Sequence, residues 1–322
     1  MSRAHGELLI VASCTLLKRM AVPDALRLGQ FSAGSKRLER WCRALGNVPS
    51  DTMPALELYG GGFWSVIREL PDIARRRGFA PTLLVASAGY GLVGAQARLK
   101  PYSATFASGV DSVLTGAVNR KTRAPQLQGW WDALSSWKGP GVHAGPRSLE
   151  RFARRSPDLS ILVIASPDYV SAMSADLRKA ASALRHPERL VIVSSVSRFP
   201  GDLDKHLVPS VAALQNKLGG SLGSLHARTA RALIASARPP LNARRLAAKY
   251  QQQAADVPTA GPPLRTARTD DEVRAFIRRR VGASNKPSCS QLLRAYRDGG
   301  SKCEQQRFRS LFDEVTQHRK AS

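Results

Sequence analysis

Carboxylates are scarce in this sequence. Its 322 residues carry 24 Asp and Glu against 49 Lys and Arg, a net charge of +25 at neutral pH. A globular chain this basic points to a polyanionic partner, since its own carboxylates are too few to neutralise it. Cysteine is scarce as well. Cys14, Cys42, Cys289 and Cys303 are scattered, with no C-x-x-C pair. That excludes a disulfide framework or a zinc site, and it fits a reducing cytoplasm. No apolar run is long enough to span a bilayer. Glu7 precedes the N-terminal apolar stretch and Lys18-Arg19 follow it, the reverse of a secretory signal. The glycine-rich stretch Gly220-Ser221-Leu222-Gly223-Ser224 lacks the lysine of a nucleotide-binding P-loop, which excludes an NTP site. At a helix start it still offers free N–H groups to a phosphate. The expectation is a cytoplasmic chain with no membrane partner, no metal and no cofactor.

What is present is a set of buried strands. Hydrophobic residues make up 43% of the chain, enough for a substantial core. Leu8-Leu9-Ile10-Val11-Ala12 is an apolar, partly β-branched run that ends in Ser13-Cys14, with Lys18 four residues further on. Thr82 to Ser87 repeats the pattern and runs into Ala88-Gly89-Tyr90-Gly91. Leu159 to Ser166 ends at Pro167-Asp168-Tyr169, and Leu190 to Val193 ends in Ser194-Ser195. Helical patterns alternate with these runs. One covers Phe63 to Arg77, with Phe63, Val66, Ile67, Leu70 and Ile73 on one face. Another covers Val170 to Leu184, and 203–254 reads as helical: Leu207 to Leu218, a Gly219-Gly220 break, then a long basic helix from Ser224. Alternation of this kind predicts an α/β fold, a Rossmann-like, mostly parallel sheet flanked by helices.

Parallel strands bring their carboxyl ends to one edge, where ligands bind in open α/β sheets. That edge gathers Cys14, Tyr90, Asp168 and the small residues Ser13, Ser87, Gly89, Ser166 and Ser194, which leave room for a ligand. A thiol near the Lys18 cation is a candidate nucleophile. Asp168 or Tyr90 is the candidate acid or base. Arg120, Lys121 and Arg123, close to Trp130 and Trp131, suggest a stacking platform for a base beside cations. His226 reads as a surface residue, and Arg228 lies in the same first helical turn.

A Pro- and Gly-containing linker at 255–267 separates residues 1–254 from a tail at 268–322. The tail reads as three short helices with a glycine turn, like a helix-turn-helix module. Its last helix presents Gln305, Gln306, Arg307 and Arg309, residue types that reach phosphates and base edges.

Several of these elements line up with a known group. Ser13-Cys14-x-x-x-Lys18, then Leu58-Tyr59-Gly60 with Phe63-Trp64, then Ser87-Ala88-Gly89-Tyr90-Gly91-Leu92 and Pro101-Tyr102 resemble the small YaaA-like domains of phage-defence and DNA-modification gene clusters. The Cys-x-x-x-Lys element is also similar to the core of archaeosine synthase. Length, charge and layout resemble the DpdC family of the bacterial 7-deazaguanine DNA-modification cluster. The resemblance implies hydration of the nitrile of 7-cyano-7-deazaguanine in DNA to 7-amido-7-deazaguanine. It also implies partners among the other proteins of such a cluster, and it adds Tyr59 to the substrate-binding residues. Cys14 would attack the nitrile carbon. The base would have to flip out of the duplex, with a Trp130-Trp131 loop filling the gap. Two other readings stand beside it: a non-catalytic DNA-binding accessory protein, and a base-excising glycosylase that uses Asp168 and not Cys14.

Overall fold

The computed structural model describes residues 6–139, 147–196, 198–199, 201–255, 266–281 and 287–318. The chain divides into two compact units, 1–258 and 259–322.

The first unit is built around β1 (Glu7–Ser13), whose residues from Leu8 onward are all buried. A 3-10 segment leads to α1 (Arg37–Asn47). Then come β2 (Met53–Pro54), α2 (Ala55–Leu58) and α3 (Gly61–Arg76), the last turning its Phe63, Trp64, Val66, Ile67, Leu70 and Ala74 inward. The helix begins inside the triple glycine, and Gly78, with φ of 89°, turns the chain after it. β3 (Ala80–Ser87) follows, then β4 (Gly91–Gly94) and β5 (Arg98–Leu99). α4 (Arg120–Ser136) is opened by a capping box in which Asn119 accepts from the backbone of Lys121 and Thr122. α5 (Leu149–Arg155), β6 (Ser160–Ile164), α6 (Pro167–Ala183), β7 (Leu190–Ser194) and β8 (Leu207–Pro209) complete the sheet region, and α7 (Gln215–Leu218), α8 (Leu225–Ser236) and α9 (Ala243–Ala255) close the unit.

The main sheet has the order β4-β3-β1-β6-β7-β8. All pairs are parallel except the β3–β4 hairpin. β1 lies between β3 and β6, with Val11 level with Leu84 on one side and Val163 on the other. Strands covered on both faces read as continuous apolar runs, and β6 and β7 are buried throughout. The expected α/β architecture is therefore present, a six-stranded, mostly parallel sheet with flanking helices. Among the described residues no helix is long and apolar enough to cross a membrane.

Two expectations need correction here. Leu207–Pro209, expected to be helical, is an edge strand paired with β7. A proline is tolerated there because an edge strand has one side free of ladder bonds. The long basic helix expected after Ser224 is two helices, α8 and α9, interrupted around Pro239-Pro240.

The second unit contains β9 (Thr266–Ala267), α10 (Asp270–Val281), α11 (Cys289–Asp298), β10 (Ser301–Lys302) and α12 (Gln305–His318). Val273, Ile277, Leu292, Leu293, Tyr296, Phe308 and Leu311 form a core of its own. Most of the linker at 255–267 lies outside the described residues.

Candidate active site

β1 ends by delivering Cys14 to the carboxyl edge of the sheet. The residue is held on three sides. Its N–H donates to the Ala86 carbonyl of β3 at 2.9 Å. The Ser13 carbonyl accepts from Trp64 Nε1 at 3.2 Å. Cys14 Sγ shares a hydrogen bond of 3.1 Å with the hydroxyl of Tyr169, and both residues are buried.

Around this thiol lies a network of phenols. Tyr102 and Tyr59 share a hydrogen bond through their hydroxyls at 3.0 Å, and Tyr102 shares a second, of 2.6 Å, with Ser87 Oγ. Ser87 Oγ also accepts from the N–H groups of Gly89 and Tyr90. That bonding fixes the turn after β3. Burial, with the Cys14 charge nearby, pushes the hydroxyls of Tyr59, Tyr102 and Tyr169 well above the ordinary phenol range. All three therefore remain neutral donors at physiological pH.

Lys18 completes the cluster. Its ammonium lies 4.5 Å from the ring centre of Tyr102 and 5.1 Å from that of Tyr59, within cation–π range. It also donates to the carbonyl of Thr15. The loop that carries it is stitched to the chain before α3, with Gly60 N–H donating to the Leu17 carbonyl and Arg19 N–H to the Leu58 carbonyl, both at 2.9 Å. Burial lowers the Lys18 ammonium from 10.5 to about 8, with Cys14 and Asp111 opposing the shift. Asp111 is held by Gly29 N–H at 2.8 Å and by Ser103 Oγ at 2.5 Å. A cation that releases its proton near pH 8 beside a thiol is equipped for proton transfer at neutral pH.

Of the expected site residues, Cys14, Lys18, Tyr59 and Ser87 come together. Others do not. Asp168, in the first turn of α6, is ion-paired with Arg123 at 2.8 Å and has no hydrogen bond to Cys14. Tyr90 directs its hydroxyl to the Lys100 carbonyl, at 3.5 Å, and supports Tyr102 edge-on, with ring centres 5.2 Å apart. Ser13 contributes its carbonyl, and Gly89 a close backbone approach to the Tyr102 ring. Ser166 stands at the start of α6 without capping it. Ser194 is buried, with no partner for its hydroxyl among the described residues. Tyr169, Tyr102 and Asp111 were missed as site residues. Tyr102 had a signal in Pro101-Tyr102, and Tyr169 directly follows the residue singled out on α6.

The tryptophans also require correction. Trp130 and Trp131 are not a stacking platform, for both are buried in the core. Trp130 Nε1 donates to the Ala88 carbonyl at 2.8 Å, and Trp41 Nε1 to the Gly89 carbonyl at 3.0 Å. With Trp64 on Ser13, three indoles pin the backbone where β1 and β3 end. An indole N–H needs an acceptor when buried, and the Ala88 and Gly89 carbonyls lie beyond the sheet ladder, with Ser13 at its last rung. His226 is likewise buried rather than exposed. It packs against Phe63 with ring centres 4.7 Å apart, and burial lowers its pKa to about 4.

The nucleic-acid residues are spread over both units. Lys121 is exposed, and the side chain of Arg120 lies outside the described residues. Arg123 is occupied by Asp168, and Arg228 donates to Ser224 Oγ. In the second unit Gln305 and Arg309 are exposed, and the side chain of Gln306 lies outside the described residues. Arg307 is used internally, bonded to Asp270 at 2.7 Å and to the Arg268 carbonyl.

Tyr169→Phe removes only the hydroxyl that touches the thiol and keeps the ring against Phe106. For a nitrile-hydrating thiol, as proposed below, the expected result is a rate lower by about 10²-fold with an unchanged melting temperature. An unaltered rate would remove Tyr169 from the chemistry. Compared with protein-family models, with curated proteins and with solved structures, the chain matches none.

Proposed function

We propose that this chain is a thiol-dependent nitrile hydratase that converts 7-cyano-7-deazaguanine in DNA to the 7-amido form. The observation that carries the reading is the Cys14–Tyr169 contact at the end of the central strand, with the Lys18 ammonium on the neighbouring Tyr102 ring and within electrostatic reach of Cys14. The substrate class follows from the resemblance of the Cys14–Lys18 and Ser87–Leu92 segments, and the +25 charge supports a DNA substrate.

The chemistry balances without an oxidant or a cofactor. The Cys14 thiolate adds to the nitrile carbon, forming a C–S bond and reducing the C≡N bond order by one. The nitrile nitrogen takes a proton from Lys18 or a neighbouring phenol, giving a thioimidate. Water adds to that carbon, one of its protons passing to the nitrogen. The C–S bond then breaks, the thiolate leaves, the second water proton returns to the group that first protonated the nitrogen, and the amide remains. The net change is the gain of one water. The glycosylase alternative requires a free carboxylate at Asp168, and Arg123 occupies it.

Incubating the protein with DNA that carries the nitrile base, then weighing the nucleosides, tests the proposal. The expected product is heavier by one water. An unchanged mass with DNA still bound would favour the accessory reading instead. A second result follows from Lys18. A group that donates a proton acts only while protonated, so kcat/KM should fall as pH rises through about 8. Lys18→Arg keeps the charge but cannot give up its proton, so it should lower kcat/KM below about pH 8 and lack this alkaline limb. A limb that persists in the variant would assign it to another group.

A further inference from the structure

A second feature of the first unit has no part in the Cys14 chemistry. A cleft of about 460 Å³ runs between the outer faces of α3 and α8 and is lined by Arg76, Arg77, Lys217, Arg228 and Arg231. Its floor is apolar and mostly small, made by Ile73, Leu218, Ala232 and Ala235. No carboxylate lines it. Arg231 alone of the five has an acidic partner, Glu69 at 3.1 Å. Arg77 and Arg228 are held by neutral oxygens, the Ala237 carbonyl and Ser224 Oγ. Arg76 and Lys217 are exposed, with no ion pair among the described residues.

From this arrangement we infer that the cleft seats the sugar–phosphate backbone of a nucleic acid strand. The charge lies on the walls, where phosphates would meet guanidinium and ammonium groups. The apolar floor suits the sugar faces between phosphates, and a free inorganic anion would gain nothing from it. α3 joins the two regions: its first residue follows Gly60, which is bonded to the Lys18 loop, and its last turn carries Arg76. Its 16 residues span about 24 Å. A duplex gripped at the cleft would thus be held roughly that far from the Lys18 loop. The inference rests on the proposed nucleic-acid substrate, not on which group attacks the base.

The test is fluorescence anisotropy of a labelled, unmodified DNA duplex with the full chain over a salt series. Arg76→Glu/Lys217→Glu reverses two exposed charges in the cleft. Arg151→Glu/Arg155→Glu makes the same charge change on the exposed side of α5. The cleft pair should weaken binding on the order of tenfold and lower the slope of log K against log salt by about 2, while the control pair stays close to wild type. Equal losses in both pairs would reduce the effect to overall charge and overturn the inference, as would no loss in the cleft pair. Displacement of the duplex by inorganic phosphate or polyglutamate, beyond that by chloride at matched ionic strength, would also overturn it, pointing to a free-anion or an acidic-protein site. The nitrile assay run on the same samples separates the two proposals. Weaker binding of the cleft pair without water addition by the wild type would leave the cleft standing and remove the chemistry. Water addition by the wild type with no binding change in the cleft pair would do the reverse.

Discussion

Cys14→Ala should abolish water addition to the nitrile base, lowering turnover by at least about 10³-fold. The thiol is the only soft nucleophile within this cluster, and neither the tyrosines nor Lys18 replaces it in forming a thioimidate. The fold should survive, because Cys14 fills a small buried space and its backbone bond to Ala86 does not depend on the side chain. Losing one sulfur from that space costs about 1 kcal/mol, a small change in melting temperature. Single-turnover mass spectrometry of the nucleosides, alongside thermal melting, separates a chemical loss from a folding loss. Trapping a wild-type adduct whose mass equals protein plus base-containing strand, mapped to the peptide that carries Cys14 and missing from Cys14→Ala, would place the bond on sulfur. Full activity in Cys14→Ala would remove the thiol from the mechanism.

Gly89→Ala should damage the site without touching any group that reacts. A methyl at this position would lie 2.5 and 2.6 Å from two ring carbons of Tyr102, and 3.2 Å from Trp41. The Tyr102 ring has nowhere to go. It is fully buried, its hydroxyl is shared with Ser87 and Tyr59, and the Lys18 ammonium rests on its face. Overpacking a filled core costs about 1–3 kcal/mol, here a fall in melting temperature of roughly 5–10 °C. Displacing Tyr102 by even part of an ångström also shifts Lys18 relative to Cys14, for an activity loss of about 10²-fold. Ser87→Ala provides the comparison, since it loosens the same ring without crowding it and should cost less in both respects. A Gly89→Ala protein with wild-type melting and rate would show that the ring is free to move.

The strands of the sheet were legible because parallel strands buried on both faces have no polar alternation to obscure them. β1, β6 and β7 stand out as apolar runs, as does the stretch 83–86 of β3. β8 was not legible, being three residues long and ending in proline. α4 was hidden by its basic opening, by Pro125 and by Gly129. At the site, Cys14 and Ser87 followed from strand ends alone, whereas Tyr169 did not. Successive helix positions point about 100° apart. At the start of α6 that rotation turns Asp168 toward Arg123 and Tyr169 toward β1. Composition favoured the carboxylate, and helix phase chose the phenol. The tryptophans failed for a related reason. Cations nearby in sequence suggested exposure of Trp130 and Trp131, but both face inward, and Trp130 finds the Ala88 carbonyl there.

The lengths of the strands carry one more consequence. The two outermost strands, β4 and β8, have four and three residues, against seven and eight for β1 and β3 further in. A sheet rim is a template on which a stray chain can zip up, and its hazard grows with the number of unpaired backbone groups. Here one rim is a tight hairpin return and the other ends in Pro209, which has no N–H to offer. The fold is thus tapered toward its borders, leaving little backbone on which self-association into fibres could begin.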